Sequence, residues 1–250
     1  MIELRLGEVG LLRLDHPPLN LFNRQMTEAL DQALGRIEAE PGMRALVVAG
    51  NQRAFSAGSD INEFAGLAGR VGEGKLIREN QVYDRLAQLS LPTVAAIEGI
   101  AFGGGLELAL CCDLRVASES ARLALPEVRL GVIPGSGGTH RLPRLIGPAQ
   151  AKEMILRGAE YSAAEAHGFG LVNAVTATGQ AEATAKEWAE EIAARGPLAV
   201  REAKLLIDSF LDPEAAAASL AASERVFATE DLGEGVAAFK EKRPPRFVGR

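Results

Sequence analysis

Two acidic residues of this chain stand in apolar settings. Glu107 sits among Leu106, Leu108, Ala109, Leu110, Cys111 and Cys112, and Glu127 follows Leu123-Ala124-Leu125-Pro126. A carboxylate in such a place is costly unless it is paired, hydrogen-bonded or used. Two carboxyls with their pKa values pushed apart can supply an acid and a base to one substrate. Each also has a plainer reading. Glu107 suits a helix start favoured by the macrodipole, and Glu127 can pair with Arg122 or Arg129 or face solvent.

Glycine-rich turns surround these acids. Phe55-Ser56-Ala57-Gly58-Ser59-Asp60-Ile61 follows an apolar strand, and Ile100-Ala101-Phe102-Gly103-Gly104-Gly105-Leu106 leads directly to Glu107. Small residues let a backbone approach a ligand closely. Main-chain N–H groups at a strand–turn–helix junction are ready donors to an anion. Two such junctions can aim two N–H groups at one oxygen, the arrangement of an oxyanion hole. Taken singly, either stretch reads equally as a tight, closely packed turn. A third glycine stretch, Gly131 to Thr139, is placed to bring Glu127 near a cleft.

The elements that must position these groups alternate between strand and helix. Ile2–Leu6 and Val9–Leu14 read as a hairpin turning at Gly7-Glu8, ended by His16-Pro17-Pro18. Apolar residues at helical spacing predict a helix over Arg24–Glu40, stopped by Pro41-Gly42. Short buried strands are expected at Ala45–Ala49, Thr93–Ile97, Leu114–Ala117, Arg122–Leu125 and Val172–Val175. Helices are expected at Gly103–Cys112, around Ala149–Arg157, and at Ala163–Gly168 with a capping box from Ser162 to Glu165. The order indicates an α/β core. From about Gly179 the pattern is Ala-rich and helical, with starts at Pro197 and Asp212-Pro213, and this tail suits packing on the core or on another subunit. Gly66, Gly69, Gly72 and Gly74 mark a flexible stretch that is a candidate lining of the substrate pocket.

Bulk properties bound the function. The chain has 250 residues, 47% hydrophobic and 24% charged, with a formal net charge of -6. That length suits one core with an appendage. The acidic balance argues against nucleic acid as a main partner. Cys111 and Cys112 are adjacent, which gives neither a disulfide framework nor a zinc spacing. With no apolar run of membrane-spanning length and no signal-peptide pattern, a cytoplasmic protein is expected.

Other motifs point to other chemistry. Gly69 to Lys75 has P-loop spacing, but Leu76 replaces the hydroxyl that would hold magnesium. Ala54 to Gly58 loosely mimics a nucleophile elbow at Ser56, which would need His140 or His167 to complete a triad. His16, His140 and His167 have no metal-ligand spacing. Lys240, Lys242, Arg243, Arg246 and Arg250 stand against the single acid Glu241 at the end of the chain. They read as a solvated tail or as a site for the phosphates of a nucleotide-like handle.

Together, Phe55–Ile61, Gly99–Asp113, Pro126–Leu142 and Gly235–Arg243 resemble the enoyl-CoA hydratase/isomerase (crotonase) family in order and along nearly the whole chain. The resemblance implies a spiral of ββα units over residues 1–190 and a helical region, 191–250, that drives assembly into a homotrimer or a homohexamer. It implies hydration of a 2-trans-enoyl-CoA by Glu107 and Glu127, with Ser59 and Gly104 as the backbone donors of the oxyanion hole. No cofactor or metal is implied, since coenzyme A is part of the substrate. Substrate contacts are implied for Leu19, Asn20, Leu21, Ser56, Ala57, Gly58, Asp60 and Ile61, and for Phe239 and Lys242 toward the adenine end of a ligand in an adjacent subunit. Asn62 stands where many relatives carry lysine, which removes one possible phosphate contact. Double-bond isomerisation or other enolate chemistry, Ser56 hydrolysis and non-catalytic acyl-CoA binding are the competing readings.

Overall fold

The computed structural model describes residues 1–64, 70–209, 227 and 229–250, apart from the side chains of Phe239 and Lys240. Gly66, Gly69, Asp212-Pro213 and the Phe239 ring, for which the sequence raised expectations, lie outside the described residues.

The chain begins with the antiparallel pair β1 (Ile2–Arg5) and β2 (Val9–Leu14). Helix α1 (Arg24–Glu38) follows, and its N-cap Asn23 accepts a hydrogen bond of 2.8 Å from the Met26 N–H. Its buried Met26, Leu30, Leu34 and Ile37 form one face at helical spacing. Asn23→Ala removes this cap and is expected to cost about 1 kcal/mol of stability, read from the midpoint of urea unfolding.

Three strand pairs then repeat one theme. β3 (Ala45–Ala49) precedes β4 (Ala54–Ser56), β5 (Thr93–Ile97) precedes β6 (Ile100–Phe102), and β7 (Leu114–Ser118) precedes β8 (Arg122–Ala124). The first member of each pair joins a six-stranded sheet of order β1-β2-β3-β5-β7-β10, where β10 is Ala174–Thr176. The second joins a four-stranded sheet of order β4-β6-β8-β9, where β9 is Glu160–Ser162. β3, β5 and β7 pair in parallel, and so do β4, β6 and β8. A helical segment follows each pair, so the chain winds as a spiral of ββα units. β3 and β5 are buried throughout, as strands of a parallel sheet covered on both faces must be.

Helix α2 (Ile77–Ala87) continues from a π-helical turn, Gly72–Leu76. Gly72 and Gly74 therefore lie in helical structure, a correction to the flexible stretch expected there. Helix α3 (Gly104–Ala109) is shorter than expected and ends in a turn through Cys111 and Cys112. Burial pushes both thiols up, that of Cys112 to about 12, so neither is poised to react. Helix α4 (Gly138–Arg157) breaks at Gly147, with φ 76° and Pro148 next. The helix expected from Ala149 is its second half. Helix α5 (Ala163–Gly168) carries the expected capping box from Ser162. The final strand begins at Ala174, not Val172, whose side chain joins the core.

Helix α6 (Ala181–Ala193) lays Ala181, Ala185 and Ala189 on Val47, Val94 and Val116 of the large sheet. Small side chains at every fourth position let the helix sit close to the strands. Helix α7 (Pro197–Asp208) is tied to the core by the buried Lys204, which pairs with Asp113 at 2.7 Å. Helix α8 (Glu230–Glu241) is followed by a tail that folds back, with the Val248 and Gly249 N–H groups donating to Asp231.

Candidate active site

The site forms at the C-terminal ends of β4, β6 and β8, three neighbouring parallel strands. The turn after β4 is clamped from behind. Asn20 is fully buried with φ 51°, and its amide donates to the Ala54 and Phe55 carbonyls at 3.0 and 3.1 Å. Ser56 Oγ donates to the Asn20 carbonyl at 2.7 Å and accepts from the Gly58 N–H. The Leu19 carbonyl accepts from Ala57 N–H, and the Leu21 carbonyl lies 3.0 Å from the His16 ring. Phe22 then bonds to both neighbours of Ser59, donating to Gly58 O and accepting from Asp60 N–H. With its neighbours held on one side, the Ser59 N–H points to the other, toward the turn after β6.

That second turn presses against the first. A Cβ added to Gly58 would lie 2.7 Å from Phe102 O and 3.1 Å from Gly104 N. A Cβ on Gly104 would lie 3.6 Å from Ser59 N. Gly103 takes φ 52°, a region L side chains rarely adopt, and its N–H donates to Ala124 O of β8 at 3.0 Å. Gly104 opens α3, so its N–H has no acceptor within the helix. Ser59 and Gly104 thus stand on closely packed turns and line the same cavity.

Glu107 lies one turn into α3 and is 2% exposed. Its Oε1 accepts from Ser136 N–H and Gly138 N–H, each at 2.8 Å. Desolvation outweighs these bonds and, with the Glu127 charge, pushes its pKa up to about 8. Glu127 opens a short 3₁₀ turn after β8. Its Oε2 is buried without a hydrogen-bond partner among the described residues, and burial raises its pKa to about 7. Its expected alternative partner Arg129 lies instead 3.8 Å from Glu160.

Both carboxyls open on a cavity of about 820 Å³ shared with Ala57, Gly58, Ser59 and Gly104. Ile61, Phe64, Val71, Leu76, Val132 and Ile133 give it apolar walls. Of the expected substrate residues, Ala57, Gly58 and Ile61 line it. Leu19, Asn20, Leu21, Ser56 and Asp60 do not; they shape the turn from behind, and Asp60 accepts from Asn62 N–H. Lys242 is exposed at the end of α8, away from the cavity lining.

The other candidate motifs lie in different settings. Ser56 is wholly buried, with Asn20 and Gly58 as its partners, while His140 and His167 are exposed. A nucleophile would need a histidine there. Lys75 is buried and pairs with Glu79 at 2.9 Å, so it does not reach for phosphate. In the basic tail, Arg243 is paired with Glu234 and Glu241, and Arg250 with Glu230. Among the described residues, no group of three or more His, Cys, Asp or Glu side chains is arranged to hold a metal, and no helix is long and apolar enough to cross a membrane.

Helix α2 contributes residues that sequence patterning did not single out. Tyr83 Oη donates to the Gly104 carbonyl at 3.0 Å, which steadies the peptide next to the donor amide. Asn80 donates to the Gly135 carbonyl at 2.8 Å, and Asp84 pairs with Arg141. Their one sequence signal was an excess of polar residues next to Val82, Tyr83 and Leu86.

The chain belongs to the enoyl-CoA hydratase/isomerase family, whose sequence profile matches residues 6–250. It is 39% identical over 247 residues to a probable enoyl-CoA hydratase of Bacillus subtilis, covering 96% of this chain and 95% of that one. It is 38% identical over 242 residues to a short-chain-enoyl-CoA hydratase of Clostridium acetobutylicum, covering 95% and 93%. A crystal structure of an enoyl-CoA hydratase from Bacillus anthracis superimposes with a TM-score of 0.95 at 40% identity, covering 100% of this chain and 99% of that one. The fold is thus the crotonase-like spiral.

Proposed function

We propose that this protein is an enoyl-CoA hydratase that adds water to a 2-trans-enoyl-CoA and gives the 3-hydroxyacyl-CoA. The observation that carries this reading is the opening of two carboxyls with raised pKa values on the cavity that also holds the Ser59 and Gly104 amides. The thioester oxygen sits between the Ser59 and Gly104 N–H groups. Negative charge gathers on it as water attacks the β-carbon, and each such donor is worth roughly 10²–10³ in rate. Water is held between Glu107 and Glu127. The ionised member takes a proton from the water as its oxygen bonds to the β-carbon, and the protonated member delivers a proton to the α-carbon. The pair ends with the one proton it began with, on the other partner. The Oε2 of Glu127 supports this reading, since no donor among the described residues engages it.

Ala57, Gly58 and Ile61 are proposed to touch the acyl-CoA directly. Residues 191–250 are proposed to mediate a homotrimer or a dimer of trimers, with Lys242 and Phe239 reaching a neighbour's ligand. Exposed Ile207 and Phe227, 68% and 70% accessible, support an assembly surface in this region.

The test is to follow loss of the conjugated double bond of a short 2-trans-enoyl-CoA and identify the product. A 3-hydroxyacyl-CoA supports the proposal; migration of the double bond without water uptake overturns it. The pH profile is a separate expected result. Below the lower pKa the pair holds two protons and lacks a base; above the upper one it holds none and lacks an acid. Since kcat/KM reports the free enzyme, it should be bell-shaped, with apparent limbs near about 7 and about 8 that belong to the pair.

A further inference from the structure

A buried ion pair lies beside the acid–base pair and has no part in the mechanism above. Glu79 is 1% exposed and Lys75 9%, and both line the cavity. Burying two charges costs desolvation that their attraction repays only in good geometry, so such a pair needs a reason for its place. Lys75 Nζ lies 2.9 Å from Glu79 Oε2 and 3.6 Å from Glu63, and it donates to the Phe22 carbonyl at 3.3 Å. The other oxygen of Glu79 accepts a 2.5 Å hydrogen bond from Ser136 Oγ. The N–H of that same serine donates to Glu107 Oε1. One residue therefore links the two carboxylates.

We propose that Glu79 is a positioning residue for Glu107: it holds the Ser136–Gly138 amides against the Glu107 carboxyl and faces that carboxyl with a fixed negative charge. The inference rests on the hydratase reading for its catalytic meaning. The loop that grips Glu107 runs through Gly135, Ser136, Gly137 and Gly138, which bring few side-chain atoms of their own. Helix α2 fixes it at three points: Glu79 at Ser136 Oγ, Asn80 at the Gly135 carbonyl, and Asp84 through Arg141, which donates to the Ser136 carbonyl at 3.1 Å. Glu79 alone of the three places a carboxylate within two hydrogen bonds of Glu107.

The other groups around Glu107 are accounted for. Glu127 faces it from the turn after β8, and its charge raises the Glu107 pKa, as does that of Glu79. Tyr83, on α2, is held neutral by burial. Cys111, on the turn after α3, is likewise held neutral and donates to the Glu107 carbonyl at 3.2 Å. Arg141, at the start of α4, is paired with Asp84. Lys75, on the π-helical turn, is engaged by Glu79 and Glu63.

The experiment compares Glu79→Gln with the wild type. Gln keeps an acceptor for Ser136 Oγ and removes the charge. Removing a negative charge makes ionisation of the acid pair easier, so both limbs of the kcat/KM profile should move to lower pH by about one unit. The same shift should appear in the titration of the Glu107 carboxyl followed by 13C NMR in the free protein. That readout needs no turnover, so it tests the inference even if the hydratase reading fails. Should Glu79→Gln fold poorly because Lys75 loses its partner, Lys75→Met/Glu79→Gln removes both charges of the pair. It should shift the Glu107 titration in the same direction, since the carboxylate is the group tied to Ser136. Limbs and a Glu107 titration that stay at the wild-type pH in the folded variant overturn the proposal and leave Glu79 as a counter-ion for Lys75.

Discussion

Glu107→Gln and Glu127→Gln should each lower turnover by roughly 10²–10⁴ while thioester binding is retained. The amide has nearly the shape of the carboxyl. At Glu107 it can still accept from the Ser136 and Gly138 N–H groups, which donate to Oε1 alone. The fold and the cavity should therefore survive, and only proton transfer is lost. The two residues share one proton budget, so the double variant should be little worse than the poorer single one, as expected of groups that act as a unit. Steady-state kinetics with calorimetric binding of a saturated acyl-CoA separates these effects. Near-native hydration by either variant would remove that residue from the chemistry.

Gly58→Ala attacks the other half of the mechanism. Gly58 has φ 92°, and a Cβ there meets the Phe102 carbonyl at 2.7 Å and Gly104 N at 3.1 Å. Both obstacles are backbone, so neither can swing aside. The turn after β4 must move away from the turn after β6, and the gap between the Ser59 and Gly104 amides must widen. The expected result is a loss of roughly 10²–10³ in kcat, with overpacking that costs roughly 1–3 kcal/mol of stability. Gly72→Ala is the control, because a Cβ there meets nothing within 4 Å. Kinetics and thermal melts of both proteins decide the matter; a Gly58→Ala enzyme with native kcat would mean that these amides do not hold the oxyanion.

The parts of the site legible in sequence were those that break a local pattern. A glutamate between leucines at Glu107, and glycines at the end of apolar strands, are departures visible within ten residues. The wide strands of the large sheet were legible for a similar reason, as short unbroken apolar runs. Strands β4, β6 and β9 were not, because each is three residues long and runs directly into or out of a glycine turn or a helix cap that dominates the local pattern. Helix α2 was hidden for a different cause. It buries Val82, Tyr83 and Leu86 in the usual way but also turns Glu79, Asn80 and Asp84 toward the glycine loop while Ile77, 54% accessible, faces out, so its apolar stripe is interrupted. At Asn20 and Ser56 the structure adds what the sequence did not show: both are buried, and their side chains hydrogen-bond the backbone of the turn. The acidic partners of Arg243 and Arg250 in the tail, Glu234 and Glu230, were not legible because they lie nine and twenty residues earlier.

The three turns that bear the reacting groups grow from adjacent rungs of one ladder, so their separation is governed by the fixed pitch of parallel strands, roughly 4.8 Å. The apolar walls at Val71 and Leu76 hang on a different segment, the π-helical turn before α2. An engineer could therefore recut the walls to admit bulkier or branched acyl groups without retuning the spacing at which bonds are made.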